Sequence, residues 1–235
     1  MIYLNYSERN ILGKSEVERG RGNNMISIFQ KREPRAEGLK ILNAFYDLAV
    51  QDNDISQTAI QLSGEYTEKY KKDVKMAAVE LTFSQKDICS DTDSLYDLGK
   101  RITIHPAIPP EVAGILYIQI RMIIALAIMG GYNPQDYLVK TLVFMTLVGM
   151  NGIDISKRLG IYIGNKLTVQ AVEKCSEKIL RELHEEAGTR LVMVLCYDGI
   201  NVVSKAPEYD GFKVESFDRN SVGMVAERAS DLFLY

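Results

Sequence analysis

Apolar positions recur at helical spacing along nearly all of residues 36–235. Leu39, Leu42, Phe45, Leu48 and Ala49 share one face and predict an amphipathic helix that ends at the polar run 51–54. Ile60, Tyr66, Tyr70, Val74, Ala77, Ala78 and Leu81 predict a second, longer helix, with Lys69, Lys71, Lys72 and Lys75 on a basic, solvated face. The capping-rich run Ser90-Asp91-Thr92-Asp93-Ser94 predicts a loop, and a short segment over 95–104 leads to His105-Pro106. Pro109 and Pro110 suit a helix start, because a first-turn proline gives up no internal hydrogen bond. Glu111 complements the helix dipole there. This helix extends to Met129 and stops at Gly130-Gly131. Pro134 opens the next, which carries Leu138, Leu142, Met145 and Val148 to Gly149.

A less regular piece follows over 156–167, where Gly160 and Gly164 have the spacing of close helix packing. Val169, Val172, Ile179, Leu180 and Leu183 predict a further helix, with Glu173, Glu177, Glu182, Glu185 and Glu186 outside and a stop at Gly188. After the apolar stretch 191–203, Asp218 reads as the N-cap of a last helix marked by Val222, Val225, Ala226, Ala229, Leu232 and Phe233. The pattern defines an all-α fold, a compact multi-helix domain over 36–235 built around a central apolar helical hairpin, 111–149. Residues 1–35 read as a flexible N-terminal arm. The run Glu18–Asn24 before Met25 resembles a translated ribosome-binding site, which makes Met25 a candidate start and 1–24 non-native; a native polar arm is the alternative.

The charge inside the apolar pair decides most of the functional reading. About 18 residues from Val112 to Met129 make roughly 27 Å of helix, marginal for crossing a bilayer. Arg121 near the centre adds about 2.5–3.5 kcal/mol to insertion, and Gln119 adds more. The buried-core reading is favoured, and it asks for a carboxylate beside Arg121, since an unpaired buried charge is strongly destabilising. Asp154 and Asp218, each next to an apolar segment, are the candidates. With Gln119 and Arg121 they form the proposed polar cluster, for which a structural role is preferred to ligand binding. In the rival reading the two helices insert as a hairpin or lie in the interface, with Tyr117, Tyr132 and Tyr137 as headgroup-level aromatics. Tyrosines near helix ends are equally at home in soluble cores.

Composition narrows the chemistry. With 46% apolar and 25% charged residues the chain matches soluble globular proteins, and its length suffices for a core without disulfides. A net charge of −3, with no basic stripe interleaved with aromatics, argues against nucleic-acid binding. Cys89, Cys175 and Cys196 form no CxxC pair and suit a reducing cytosol. The opening MIYLNYSERN has no apolar core of the kind a signal peptide carries. His105 and His184 have no metal-ligand spacing, so neither metal nor cofactor is expected. GxSxG, P-loop and dinucleotide motifs are absent. His184 sits in the Glu-rich helix and is expected to be exposed, while His105 reads as a loop or cap residue. No nucleophile–base pair emerges, and the chain reads as non-enzymatic.

Residues 109–136, PPEVAGILYIQIRMIIALAIMGGYNPQD, closely resemble the hallmark segment of the EcsC family. The family's helix start, aromatic-x-Gln-x-Arg-Met core and Ala-x-x-x-Gly-Tyr exit fall on Pro110-Glu111, on Tyr117, Gln119 and Arg121-Met122, and on Ala127 through Asn133. Lys205-Ala206-Pro207, Gly211, Phe217-Asp218, Ser221, Ala226, Ala229 and Phe233 resemble its closing pattern, so the likeness spans about 37–235. One departure is clear: the family's apolar, glycine-rich run is replaced at 208–216 by the charged EYDGFKVES, which puts in doubt any contact that run makes. The resemblance implies a mostly helical bacterial protein, cytoplasmic or peripheral on the inner face of the plasma membrane, with a membrane surface or membrane protein as partner. The family's namesake is encoded beside an ABC transporter linked to secretion, which implies an accessory or scaffold role; no catalytic residues come with it. The alternatives are a membrane-inserting or pore-forming effector using 111–149, and a small-ligand binder or enzyme with a pocket at Gln119 and Arg121.

Overall fold

The computed structural model describes residues 19–51, 54–71, 73–102, 104–160, 176–204 and 217–234, and the side chains among them from Glu33 onward. Nine α-helices and no strands occur among the described residues: α1 (Arg19–Val50), α2 (Ala59–Lys69), α3 (Val74–Ser90), α4 (Thr92–Arg101), α5 (Pro110–Met129), α6 (Tyr137–Leu147), α7 (Gly152–Leu159), α8 (Glu177–Tyr197) and α9 (Ser221–Phe233). The all-α expectation holds. The segments 161–175 and 205–216, which carry Gly164, Val169, Val172, Glu173 and the charged departure, lie outside the described residues.

α1 already runs helically through 19–35, the stretch read as an arm, and Pro34 lies inside it. Arg35 bridges to Glu185 of α8 at 2.7 Å. The predicted second helix is two. Asp73 accepts from the Met76 backbone N–H and starts α3, while Lys71, with φ of 53°, turns the chain in the left-handed region. Apolar periodicity passes through this break because Tyr66 on α2 and Ala77, Ala78 and Leu81 on α3 all face the core. The predicted loop at 90–94 shrinks to one residue: Asp91 ends α3 and caps α4, its carboxylate accepting from the Asp93 and Ser94 backbones.

The central element is α5, buried on every face from Ala113 to Ala127 and packed against α1, α2, α3, α4, α6 and α9. α6 packs against α8 as well as α5. Three helices end in the same Schellman closure. Gly131, Gly149 and Gly199 each take positive φ, and the next amide reaches back five residues: Tyr132 to Ala127, Met150 to Met145 and Ile200 to Leu195. Tyr132, Met150 and Ile200 are all buried, the apolar contact that completes the motif. α1 and α8 cross where Gly38 and Gly188 meet; a Cβ on Gly188 would lie 2.6 Å from the Arg35 carbonyl oxygen and 2.8 Å from Leu39 Cγ. Gly188 is therefore a packing residue, and α8 continues through it to Tyr197.

Candidate functional site

Arg121 projects from mid-α5 toward α3 and the segment before α2, and is 5% exposed. Its Nη1 donates to Ser56 Oγ and, at 3.2 Å, to the Gln57 carbonyl; Nη2 donates to Gln85 Oε1 at 2.7 Å. Tyr117, one turn earlier, places its ring 5.3 Å from the guanidinium carbon. Burial pushes the guanidinium's pKa down from its ordinary value, opposed by Tyr117 and Cys89. The Cys89 thiol, fully buried nearby, is pushed up to about 11, again by burial.

The expected carboxylate is not among these partners. Asp154 is exposed in the first turn of α7, where its backbone N–H donates to Asn151 Oδ1 at 2.9 Å and its carboxylate accepts from Asn151 Nδ2. Asp218 is also exposed, and accepts from the Asn220 and Ser221 backbones at 2.8 Å, closing the turn that leads into α9, whose N-cap is Asn220 rather than the expected Asp218. Three neutral oxygens and a ring face surround Arg121 instead, a set of partial charges in place of an ion pair.

Gln119 and Arg121 do not form one cluster. Two residues along a helix turn about 200°, so Gln119 faces α9. Its Nε2 donates to Ser221 Oγ at 2.7 Å, and that hydroxyl donates to the Asp218 carbonyl at 2.6 Å. Gln119 also lines a small, partly open cleft with Val148, Gly149, Phe217, Val225 and Arg228, with room for roughly one water.

The three tyrosines separate too. Tyr117 is fully buried, and Tyr132 is buried edge-to-face on Phe233 with centroids 5.2 Å apart. Of the three only Tyr137 reaches the surface. His184, expected on a solvent face, is buried between Tyr137 and Phe144, with centroids at 4.8 and 5.1 Å. Its Nδ1 lies 3.1 Å from Thr141 Oγ1. Since Thr141 donates its one hydroxyl proton to the Tyr137 carbonyl, the imidazole donates through Nδ1–H. Burial, with Lys140 close by, lowers its pKa to about 4, so the ring is neutral near pH 7. The Glu-rich pattern misleads because α6 packs along α8 and His184 falls among its buried positions, with Leu180, Leu183 and Ala187. His105 accepts from the Ala107 N–H through Nδ1, a turn-capping role.

Sequence reasoning misses Ser56 and Gln85 as Arg121's ligands. Gln85 carries a signal: it continues the core stripe Ala77, Ala78, Leu81 at the next turn and is followed by Cys89, so a buried amide there needs a partner. It also misses an outward apolar stripe on α3, Met76, Val79 and Phe83, exposed by 49, 44 and 58%. Among the described residues no three His, Cys, Asp or Glu side chains converge as a metal site requires. Fold and site together define a helical protein with a cation sealed at its centre. No protein-family model, curated protein or solved structure matches this chain.

Proposed function

We propose that this chain is a non-enzymatic, EcsC-like accessory or scaffold protein of the bacterial cytoplasm, working at the inner face of the plasma membrane beside a membrane protein such as a transporter. The observation that carries the reading is the α3 stripe. Met76, Val79 and Phe83 stand one turn apart on the face opposite the core, with Lys75 and Lys86 exposed beside them. A shallow apolar ridge edged by lysine stems suits a lipid surface. Glu80 and Asp87 share the helix, so apolar contact rather than net charge supplies most of the affinity. The likeness of residues 109–136 to the family's hallmark segment supports the assignment.

A second reading, insertion of α5, has one observation in its favour: among the described residues α5 alone is long and apolar enough to cross a membrane. It ranks below the first because 83% of that window is buried within the protein, and insertion would strip Arg121 of three hydrogen bonds. Fractionation of the native protein separates the two. Peripheral attachment predicts a membrane-associated pool released by high-salt and carbonate washes and reduced several-fold by Phe83→Asp. A carbonate-resistant pool, or a protein never found on membranes, would overturn the proposal.

A further inference from the structure

The α3 ridge has flanks of opposite charge, and a lipid surface makes use of only one of them. At about 100° per residue, Met76, Val79 and Phe83 fall within about 40° of one line along the helix. Lys75 and Lys86, both exposed, stand on one side of that line, and Glu80 and Asp87 stand on the other. The positions also fit a short heptad pattern. Met76, Val79 and Phe83 occupy a, d and a, with Lys75 at the g position before them and Glu80 at the e position between. Leu81 falls at f, on the opposite side, and is buried in the core of the chain.

A second copy of the same helix uses both flanks. Two copies related by a two-fold axis parallel to α3 bring each ridge residue against its own counterpart. The basic flank of one copy then meets the acidic flank of the other. Lys75 faces the partner's Glu80, five residues along, which is the g-to-e offset of parallel coiled coils, and the symmetry repeats the pair. Antiparallel pairing would set lysine against lysine and carboxylate against carboxylate, which repel. We propose that in solution this chain pairs with a second copy of itself, α3 against α3 in parallel. Three apolar side chains per copy make a small contact, so the dimer is weak, with a Kd on the order of 10 µM. The pairing does not depend on membrane attachment. The two uses of the ridge exclude each other, so lipid binding takes the monomer.

The test is analytical ultracentrifugation of the full chain, without lipid, at concentrations on either side of that Kd. The expected result is a reversible monomer–dimer equilibrium that added salt weakens, because the flanking pairs are exposed to screening. Lys75→Glu and Glu80→Lys should each weaken association about tenfold. The double variant, which restores opposite signs across the axis, should recover most of it. Phe83→Asp should abolish it. Oxidised Met76→Cys should form a covalent dimer that the unmodified chain does not, since only the parallel arrangement brings the two copies of this position together. A chain that stays monomeric at every concentration would overturn the proposal, and if it still bound membranes the lipid reading would stand without the dimer. A dimer that neither charge reversal weakens, or a double variant no better than the singles, would also overturn it.

Discussion

Arg121 is held by hydrogen bonds to neutral oxygens, and this sets what mutation of its partners should do. Gln85→Leu leaves a buried guanidinium N–H without its acceptor, and a bond to a charged group contributes about 1.5–3 kcal/mol. A loss of about 2 kcal/mol in urea unfolding is expected. Arg121→Met removes the charge but leaves Gln85 unpaired, so the double variant should lose less than the sum of the singles, with a coupling of about 1–2 kcal/mol. Strict additivity in that cycle would show that the bond is not made. His184 makes a second prediction at this scale. Its folded pKa of about 4 lies below the 6.5 of an unperturbed imidazole, so on acidification the unfolded chain binds the proton first. Stability from this group is complete above pH 6.5, declines between pH 6.5 and 4, and levels off below. The expected loss is about 1–2 kcal/mol after allowance for solvent screening. His184→Phe should flatten that limb of the pH–stability curve by one proton; an unchanged slope would place the imidazole in solvent.

At the scale of helices, the α1–α8 crossing is the place where one methyl group matters most. A Cβ on Gly38 would overlap the Gly188 backbone carbonyl, and neither helix backbone can yield locally. Gly38→Ala should cost about 3 kcal/mol or more, a fall in Tm of roughly 6–12 °C. Gly64, exposed within α2 and with open space within 4 Å of where a Cβ would sit, is the control: Gly64→Ala should raise stability by about 0.5–1 kcal/mol. Thermal melts of the two variants moving in the same direction would refute the packing assignment. The contrast also shows what is legible in the chain. Helix ends written in local chemistry, such as Pro109-Pro110 opening α5 and Gly131 and Gly149 closing α5 and α6, can be read directly. The break at Lys71 cannot, since α2 and α3 present their apolar faces to the same core and the period runs on. Gly188 reads as a stop because a glycine that ends a helix and one that admits a neighbouring backbone look alike until the neighbour is known. The same holds for the site. Arg121 stands out as a charge in an apolar run, but its partners lie 36 and 64–65 residues away, a separation that no local pattern encodes, and the twist of one helix sends Gln119 to the opposite face.

For the whole molecule, the position of α5 makes membrane insertion a global event. Six helices pack on it, and the Arg121 bonds join it to α3 and the segment before α2, so α5 cannot leave while its neighbours stay folded. Its amides should therefore exchange with solvent only through complete unfolding, at the slowest rates in the chain. Hydrogen exchange with and without lipid vesicles then discriminates the two membrane readings. Surface attachment through Met76, Val79 and Phe83 should slow exchange along α3 and leave α5 unchanged. Insertion should keep α5 protected while α2, α3 and α9, deprived of the helix they pack against, exchange faster by orders of magnitude. That second pattern would make the compact fold the storage form of a membrane-active protein.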